Sequence, residues 1–201
     1  GIEMVVFGIT GGSGSGKTSV SKMLEKLGVH IIDTDVIAHE IVEPNSDCLN
    51  GLVDYFGDSI LNDDKTLNRK KLASIAFSDK QKTEALSNIT HKYIKAEVIK
   101  DINTTDAELV GIDGAVIIGS NVEPLCEFIV SVIADKQSRI TRIKTRDNIT
   151  DEQAIQRINA QNDDEFYKEN SMYIIYNNGD IAQLESDVVG LFNKIKGNSF
   201  E

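Results

Sequence analysis

The 201-residue chain is expected to form one α/β domain, a three-layer sandwich around a five-stranded, mainly parallel sheet. Three observations lead there. Short runs rich in β-branched residues alternate with segments whose apolar residues recur every three or four positions. The first such run leads straight into a glycine-rich loop and then a helical pattern. One long central segment carries helical patterning and no convincing strand.

Residues 4–9 form the first expected strand. Residues 17–27 follow as a helix with Val20, Met23, Leu24 and Leu27 on one face. A second strand is expected at 29–33 and a short helix at 36–42, stopping near Pro44. The stretch 46–103 places Leu49, Leu52, Val53 and Phe56, then Leu72, Ile75 and Ala76, then Leu86, Ile89, Ile94 and Val98 at helical spacing. It reads as a helical insert between two strands of the sheet. Strand character returns at 109–118 and 128–134. Helices are expected at 136–146 and 151–161, the second opened by Thr150 as N-cap with acids in its first turn. A last strand at 173–177 and a closing helix at 181–195 complete the pattern. The core then comprises about 1–45, 104–138 and 170–201, interrupted by the insert (about 46–103) and by an arginine-bearing segment (about 139–169).

Composition narrows the class of function. With 40% apolar and 26% charged residues the chain reads as a soluble globular protein, and no run approaches the roughly 20 apolar residues of a membrane helix. The net charge of −11 argues against a general nucleic-acid binder, whose phosphate contacts leave a basic footprint. Yet four of the five arginines, Arg139, Arg142, Arg146 and Arg157, fall within one 19-residue stretch. In an acidic chain that clustering points to a phosphate clamp or lid rather than to a solvated charged face, and the planar guanidinium suits the task. Arg139, Arg142 and Arg146 share one helical face. Cys48 and Cys126 match no disulfide framework or metal motif and read as small, partly buried thiols. The opening GIEMVVFGIT lacks the features of a secretory leader, so a cytoplasmic location is expected. Gly1 to Glu3, ahead of Met4, read as a remnant of cloning.

The central motif is Gly11-Gly-Ser-Gly-Ser-Gly16-Lys17-Thr18, a full match to G-x-x-x-x-G-K-[ST] between an apolar strand and a helix. Its glycines let successive N–H groups turn inward onto phosphate oxygens, and the following helix presents its positive end to the same anion. The nucleotide-binding residues are therefore Gly12, Ser13, Gly14, Ser15, Gly16, Lys17, Thr18 and Ser19. Lys17 reaches the β- and γ-phosphates, and the Thr18 hydroxyl serves Mg²⁺. ATP with Mg²⁺ is the expected cofactor set.

A phosphate loop does not identify the acceptor. A GTPase would carry N-K-x-D, which is missing, and the D-x-x-G at Asp54–Gly57 reads as a helix ending in glycine. Motor and transporter ATPases carry further motifs that are missing too. A kinase needs a group for the attacking hydroxyl and cations for the moving phosphoryl group. Asp33 and Asp35, just past the second strand, are candidates for the first, although Asp35 also reads as a plain helix cap. Asp113, at the end of the strand ELVGID, reads either as a Mg²⁺-side acid or as a surface polar residue. Arg142, Arg146 and Arg157 supply the cations. A kinase for a nucleoside or sugar acid, and a regulatory nucleotide-binding protein without an acceptor, remain open on these residues alone.

Several segments together carry a closer resemblance. GITGGSGSGKTSV, IIDTDVIAHEIVEP, LNRKKLASIAFSD, LSNITH, the strand ending at Asp113, RDNITDEQAIQRINAQ and YNNG run in the order found in the dephospho-coenzyme A kinase family, which the chain resembles over nearly its whole length. The resemblance implies phosphorylation of the 3′-hydroxyl of dephospho-CoA by ATP, on a nucleoside-monophosphate-kinase-like fold with a helical CoA domain and a lid. By position it implies Asp33 as general base, Asp35, His39, Arg69 and His91 around the acceptor, and Arg142, Arg146, Arg157 and Gln161 in the nucleotide clamp. Lys17 and Arg142 join Asp33 as catalytic groups, and Thr18 and Asp113 are the metal-side residues. Partners are then ATP and dephospho-CoA, with no nucleic acid and no membrane, in a monomer or weak homo-oligomer. The chain departs from the family pattern at Lys92 (usually Pro), Gly119 (often an acid), Arg139 (often Gln) and Thr34 (a small apolar residue).

Overall fold

The computed structural model describes residues 3–197, so Gly1 and Ile2 of the expected cloning remnant and the last four positions of the expected core lie outside the described residues. The chain divides into two compact units, one made of residues up to Ile32 and from Thr105 onward, the other of Asp33–Thr104. Among the described residues no helix is long and apolar enough to cross a membrane.

The first unit holds the sheet. Its strands are β1 (Val5–Gly11), β2 (His30–Asp33, whose last residue opens the other unit), β3 (Leu109–Asp113), β4 (Ile129–Ile133) and β5 (Tyr173–Tyr176). They lie in the order β2-β3-β1-β4-β5. β1 runs parallel to β3, with Val5 opposite Leu109, and to β4, with Gly8 opposite Ile129; β4 runs parallel to β5. Parallel central strands are covered on both faces, so they read as continuous apolar runs rather than alternating ones. All of β3 and β4 is buried accordingly. Helices α1 (Lys17–Lys26) and α9 (Ile181–Lys196) pack together, and Val20, Leu24, Val188, Leu191 and Ile195 join Phe7, Ile9, Val130 and Val132 in one core. Each such side chain contributes about 1.5–3 kcal/mol when fully buried.

The expected strand at 109–118 stops at Asp113. Gly114 donates its N–H to Ile9 O at 3.1 Å and the Thr10 hydroxyl donates to Ala115 O at 3.2 Å, which ties the chain down over β1 as it leaves the sheet. Val116 is 75% exposed, so the apolar run there is surface loop rather than strand. Helices α6 (Lys136–Asp147) and α7 (Asp151–Asn159) stand where patterning places them, and Thr150 closes a full capping box with Gln153. A further short helix, α8 (Asp164–Glu169), was not expected; Asp163 caps it through Phe166 N–H.

The second unit is helical, as patterning predicts. It consists of α2 (Thr34–Glu40), α3 (Asp47–Phe56), α4 (Arg69–Ala76) and the 25-residue α5 (Lys80–Thr104), around Val42, Cys48, Leu52, Ile60, Leu72 and Ala76. Its only strand-like pairing among the described residues is a single bridge, Leu61 to Leu67. Gly57 ends α3 and donates to Val53 O at 2.8 Å, so D-x-x-G here is a helix terminus. Helix α2, expected with the core, falls in this unit. It is capped by Asp33 and not by Asp35, which sits in its first turn.

Candidate functional site

Between β1 and α1 the chain makes a tight loop, Gly12 to Gly16. Gly14 and Gly16 hold φ values of +74° and +88°, in the left-handed region that glycine adopts without strain. The Ser15 N–H donates to Gly12 O at 3.1 Å and closes the turn. Gly16 occupies the cap position of α1, no side chain caps that helix, and its first turn holds no acid. The first N–H groups of a helix have no intrahelical partner, so this end is suited to an anion. Ser15 is 2% exposed, and its hydroxyl is a buried oxygen with no hydrogen-bond partner. An orphaned buried hydroxyl costs about 1–3 kcal/mol.

Asp113 ends β3 at 5% exposure. One of its carboxylate oxygens pairs with Lys17 Nζ, and the other accepts from Ser21 Oγ at 2.8 Å. Lys17 and Ser21 lie four residues apart on α1, so both reach one carboxylate from one helical face. Asp113 is therefore a buried, bonded acid and not a surface polar residue. Thr18 stands exposed in the first turn of α1. Among the described residues no group of three or more His, Cys, Asp or Glu could hold a metal. The oxygen donors that are present, a hydroxyl and a nearby carboxylate, fit Mg²⁺, which keeps most of its shell as water and nucleotide phosphate.

Behind the loop, side chains from distant parts of the sequence grip its backbone. Arg139 Nε donates to Ser13 O at 2.8 Å, Arg142 NH1 to Gly14 O at 2.9 Å, and Asn177 Nδ2 to Ser15 O at 3.0 Å. Arg142 NH2 also donates to Asn177 O at 3.3 Å. Gln161 accepts from Ser13 N–H and donates to Ser13 Oγ, both at 2.9 Å, and accepts from Arg139 NH2 at 3.0 Å. Burial draws the Arg139 guanidinium below its ordinary pKa, with Asp164 and Tyr167 opposing. The arginine cluster thus divides. Arg139 and Arg142 meet the loop, whereas Arg146 and Arg157 meet Asp147. Arg146 donates to both carboxylate oxygens of Asp147 at 2.9 Å, and Arg157 pairs with one of them. These bonds hold the Asp147 carboxyl down at about 2.

In the helical unit, Asp33 Oδ1 accepts from Asp35 N–H at 2.9 Å and Val36 N–H at 3.1 Å. Asp35 is exposed. Arg69, at the start of α4, donates to His39 O at the end of α2 at 3.4 Å, so these two expected residues do meet. His91 lies exposed on α5, with Nδ1 3.3 Å from Ser87 Oγ. Gly119, which sequence reading expects to depart from the family pattern, donates its N–H to Glu123 Oε2 at 2.6 Å.

Ser21 and Asn177 were missed as site residues, and Arg139, counted in the arginine cluster read as a phosphate clamp, was not among the expected site residues. Ser21 could have been found from its four-residue spacing to Lys17. Asn177 follows the last strand, but nothing local in the sequence points it at the loop.

A glycine-rich loop of this shape, leading from the central strand of a β2-β3-β1-β4-β5 parallel sheet into a helix, defines a P-loop nucleotide-binding protein of the kinase type. The family description that matches is narrower: the model for dephospho-CoA kinase (CoaE) covers residues 5–183, and the chain belongs to that family. It is 34% identical over 191 residues to the dephospho-CoA kinase of Lactobacillus johnsonii, spanning 94% of this chain and 96% of that protein. A dephospho-CoA kinase from Campylobacter jejuni superposes with a TM-score of 0.68 at 26% identity, over 96% of this chain and 98% of the other. TT1252 from Thermus thermophilus shares the fold more closely, at a TM-score of 0.80 and 23% identity over the same shares.

Proposed function

We propose that the chain transfers the γ-phosphoryl group of ATP to the 3′-hydroxyl of dephospho-CoA, giving coenzyme A and ADP, the last step of CoA biosynthesis. The observation that carries this is membership of the dephospho-CoA kinase family across residues 5–183, with the phosphate loop complete. On this reading the substrates ATP and dephospho-CoA are met in the cytoplasm.

The loop from Gly12 to Ser19 seats the ATP phosphates on its N–H groups and on the start of α1. Lys17 exchanges its pairing with Asp113 for the β- and γ-phosphates, one anion for another. Thr18, with Asp113 behind it, would hold Mg²⁺, which would supply positive charge to the phosphates. Asp33 orients the acceptor hydroxyl and takes its proton as the new O–P bond forms and the bond to the ADP oxygen breaks. Asp35, His39, Arg69 and His91 belong to the acceptor side, in the helical unit. Arg142, Arg146 and Arg157 counter the charge of the moving phosphoryl group. The segment 139–169 closes as a lid and excludes water, which would otherwise compete as acceptor.

The test is ADP release from ATP and Mg²⁺ with and without dephospho-CoA, with the product weighed by mass spectrometry. The expected result is acceptor-dependent ADP with one phosphate added to dephospho-CoA. Phosphorylation of nucleosides or sugar acids instead would overturn the acceptor and leave the phosphate loop standing.

A further inference from the structure

Arg139 is 8% exposed, a buried cation in an acidic chain. Burying a guanidinium is costly unless its donors are matched, and here they are matched by the phosphate loop and by Gln161. All three polar groups of Ser13 are held in this way. Its carbonyl accepts from Arg139 Nε (2.8 Å), its N–H donates to Gln161 Oε1 (2.9 Å), and its hydroxyl accepts from Gln161 Nε2 (2.9 Å). The bond from Arg139 NH2 to Gln161 Oε1 (3.0 Å) closes these into a ring that ties α6 and the end of α7 to the loop.

The consequence lies in the geometry of the peptide bond. In a trans peptide the carbonyl and the following N–H point to opposite sides. Drawing Ser13 O toward Arg139 therefore turns the Gly14 N–H the other way. Drawing Ser15 O toward Asn177 does the same for Gly16 N–H. The intervening Ser15 N–H is not offered to a ligand, because it closes the turn onto Gly12 O. The Ser13–Gly14 peptide runs into a glycine and has little of its own to hold its orientation. Flipped, it would present a carbonyl oxygen where it now presents an N–H.

We infer that Arg139 is a positioning residue for the phosphoryl donor: with Gln161 it fixes the Ser13–Gly14 peptide so that the Gly14 N–H faces the nucleotide phosphates. It acts through the loop and does not touch the nucleotide. The inference rests on the reading that the loop holds a nucleotide, and the test separates the two.

ADP binding with Mg²⁺ is measured by calorimetry for the unaltered chain and for Arg139→Met, Arg139→Gln and Gln161→Ala. Values of KM for ATP and for dephospho-CoA, kcat, and nucleotide-free Tm are taken on the same samples. Arg139→Met should weaken ADP binding and raise KM for ATP by roughly tenfold or more, the usual weight of a hydrogen bond to a charged group, while KM for dephospho-CoA stays unchanged. Arg139→Gln keeps a donor for Ser13 O and should recover most of that loss, a rescue that a purely structural or purely electrostatic role would not give. Unchanged ADP affinity in Arg139→Met, or equal losses in the Met and Gln variants, overturns the inference. If Arg139→Met does not fold, Gln161→Ala decides: it opens the ring with Arg139 in place, and unchanged ADP affinity there overturns the inference as well. No ADP binding by the unaltered chain would bring down the nucleotide reading, and the inference with it.

Discussion

Asp33 carries two roles, and they can be separated. Its Oδ1 caps α2 by accepting from Asp35 N–H and Val36 N–H at 2.9 and 3.1 Å, and the proposed reaction asks the same carboxylate to take a proton from the acceptor. An Asn side chain offers an equivalent cap oxygen but no base. Asp33→Asn should therefore leave Tm nearly unchanged, since Asn and Asp cap about equally well. It should lower kcat by about two orders of magnitude or more, the usual size of general-base catalysis. Asp33→Ala removes both roles. Losing the two cap bonds costs about 1 kcal/mol, which in a chain of this length moves Tm by about 2–4 °C. The assay is dephospho-CoA-dependent ADP formation by coupled spectrophotometry, with Tm by circular dichroism on the same preparations. Near-normal turnover in Asp33→Asn would refute the base assignment. An equal fall in Tm for the Asn and Ala variants would refute the capping argument and make any loss of activity a matter of folding.

Other consequences follow from the loop and its surroundings. Lys17→Ala should nearly abolish ATP turnover and also leave the buried Asp113 charge short of a partner, so Tm should fall, typically by more than a surface substitution would allow; an unchanged Tm would show that the pair is not felt. Asp147 is held at about 2 by its hydrogen bonds to Arg146 and Arg157, so its folded-state pKa lies below the unfolded value. The stabilisation is thus complete above the ordinary carboxylate range and is lost as pH falls toward 2. The Tm difference between the unaltered chain and Asp147→Asn should accordingly be flat from neutral pH down to about 5 and shrink below about 4, which thermal melts across pH would show. Burial pushes the Cys48 thiol up to about 11 and the Cys126 thiol, with Glu123 adding to it, to about 12. Both should resist a thiol-labelling reagent at pH 8 in the folded chain and react promptly in guanidinium; rapid labelling of the native protein would contradict the burial.

The phosphate loop was legible because its chemistry is local: strand, glycines, Lys17 and Thr18 are contiguous, and each is dictated by the anion. The helical insert was legible for a similar reason, since Leu52, Leu72 and Ala76 mark buried faces by spacing alone. The end of β3 was not, because Ala115 to Ile118 have strand-like composition while their backbone is drawn away by Ile9 O and Thr10, and no pattern reports a hydrogen bond from a residue a hundred positions distant. The cap of α2 was misjudged by two residues for a subtler reason. Either Asp33 or Asp35 could have capped it, and the helix begins at Thr34, which only the backbone decides.

The arginines show where reading by charge runs out. Spacing correctly places Arg139, Arg142 and Arg146 on one face of α6, but a face does not say what stands opposite each turn of the helix. The first two turns meet the Ser13 and Gly14 carbonyls, so those two cations are held on the loop's backbone. The last turn meets no such acceptor, and Arg146 is paired with its own neighbour, Asp147, as is Arg157 from α7. A clamp that closes on phosphate must release that carboxylate, exchanging one bidentate anion for another, and such an exchange is nearly balanced. One run of four cations is thereby split into a pair bound to the loop and a pair bound to Asp147.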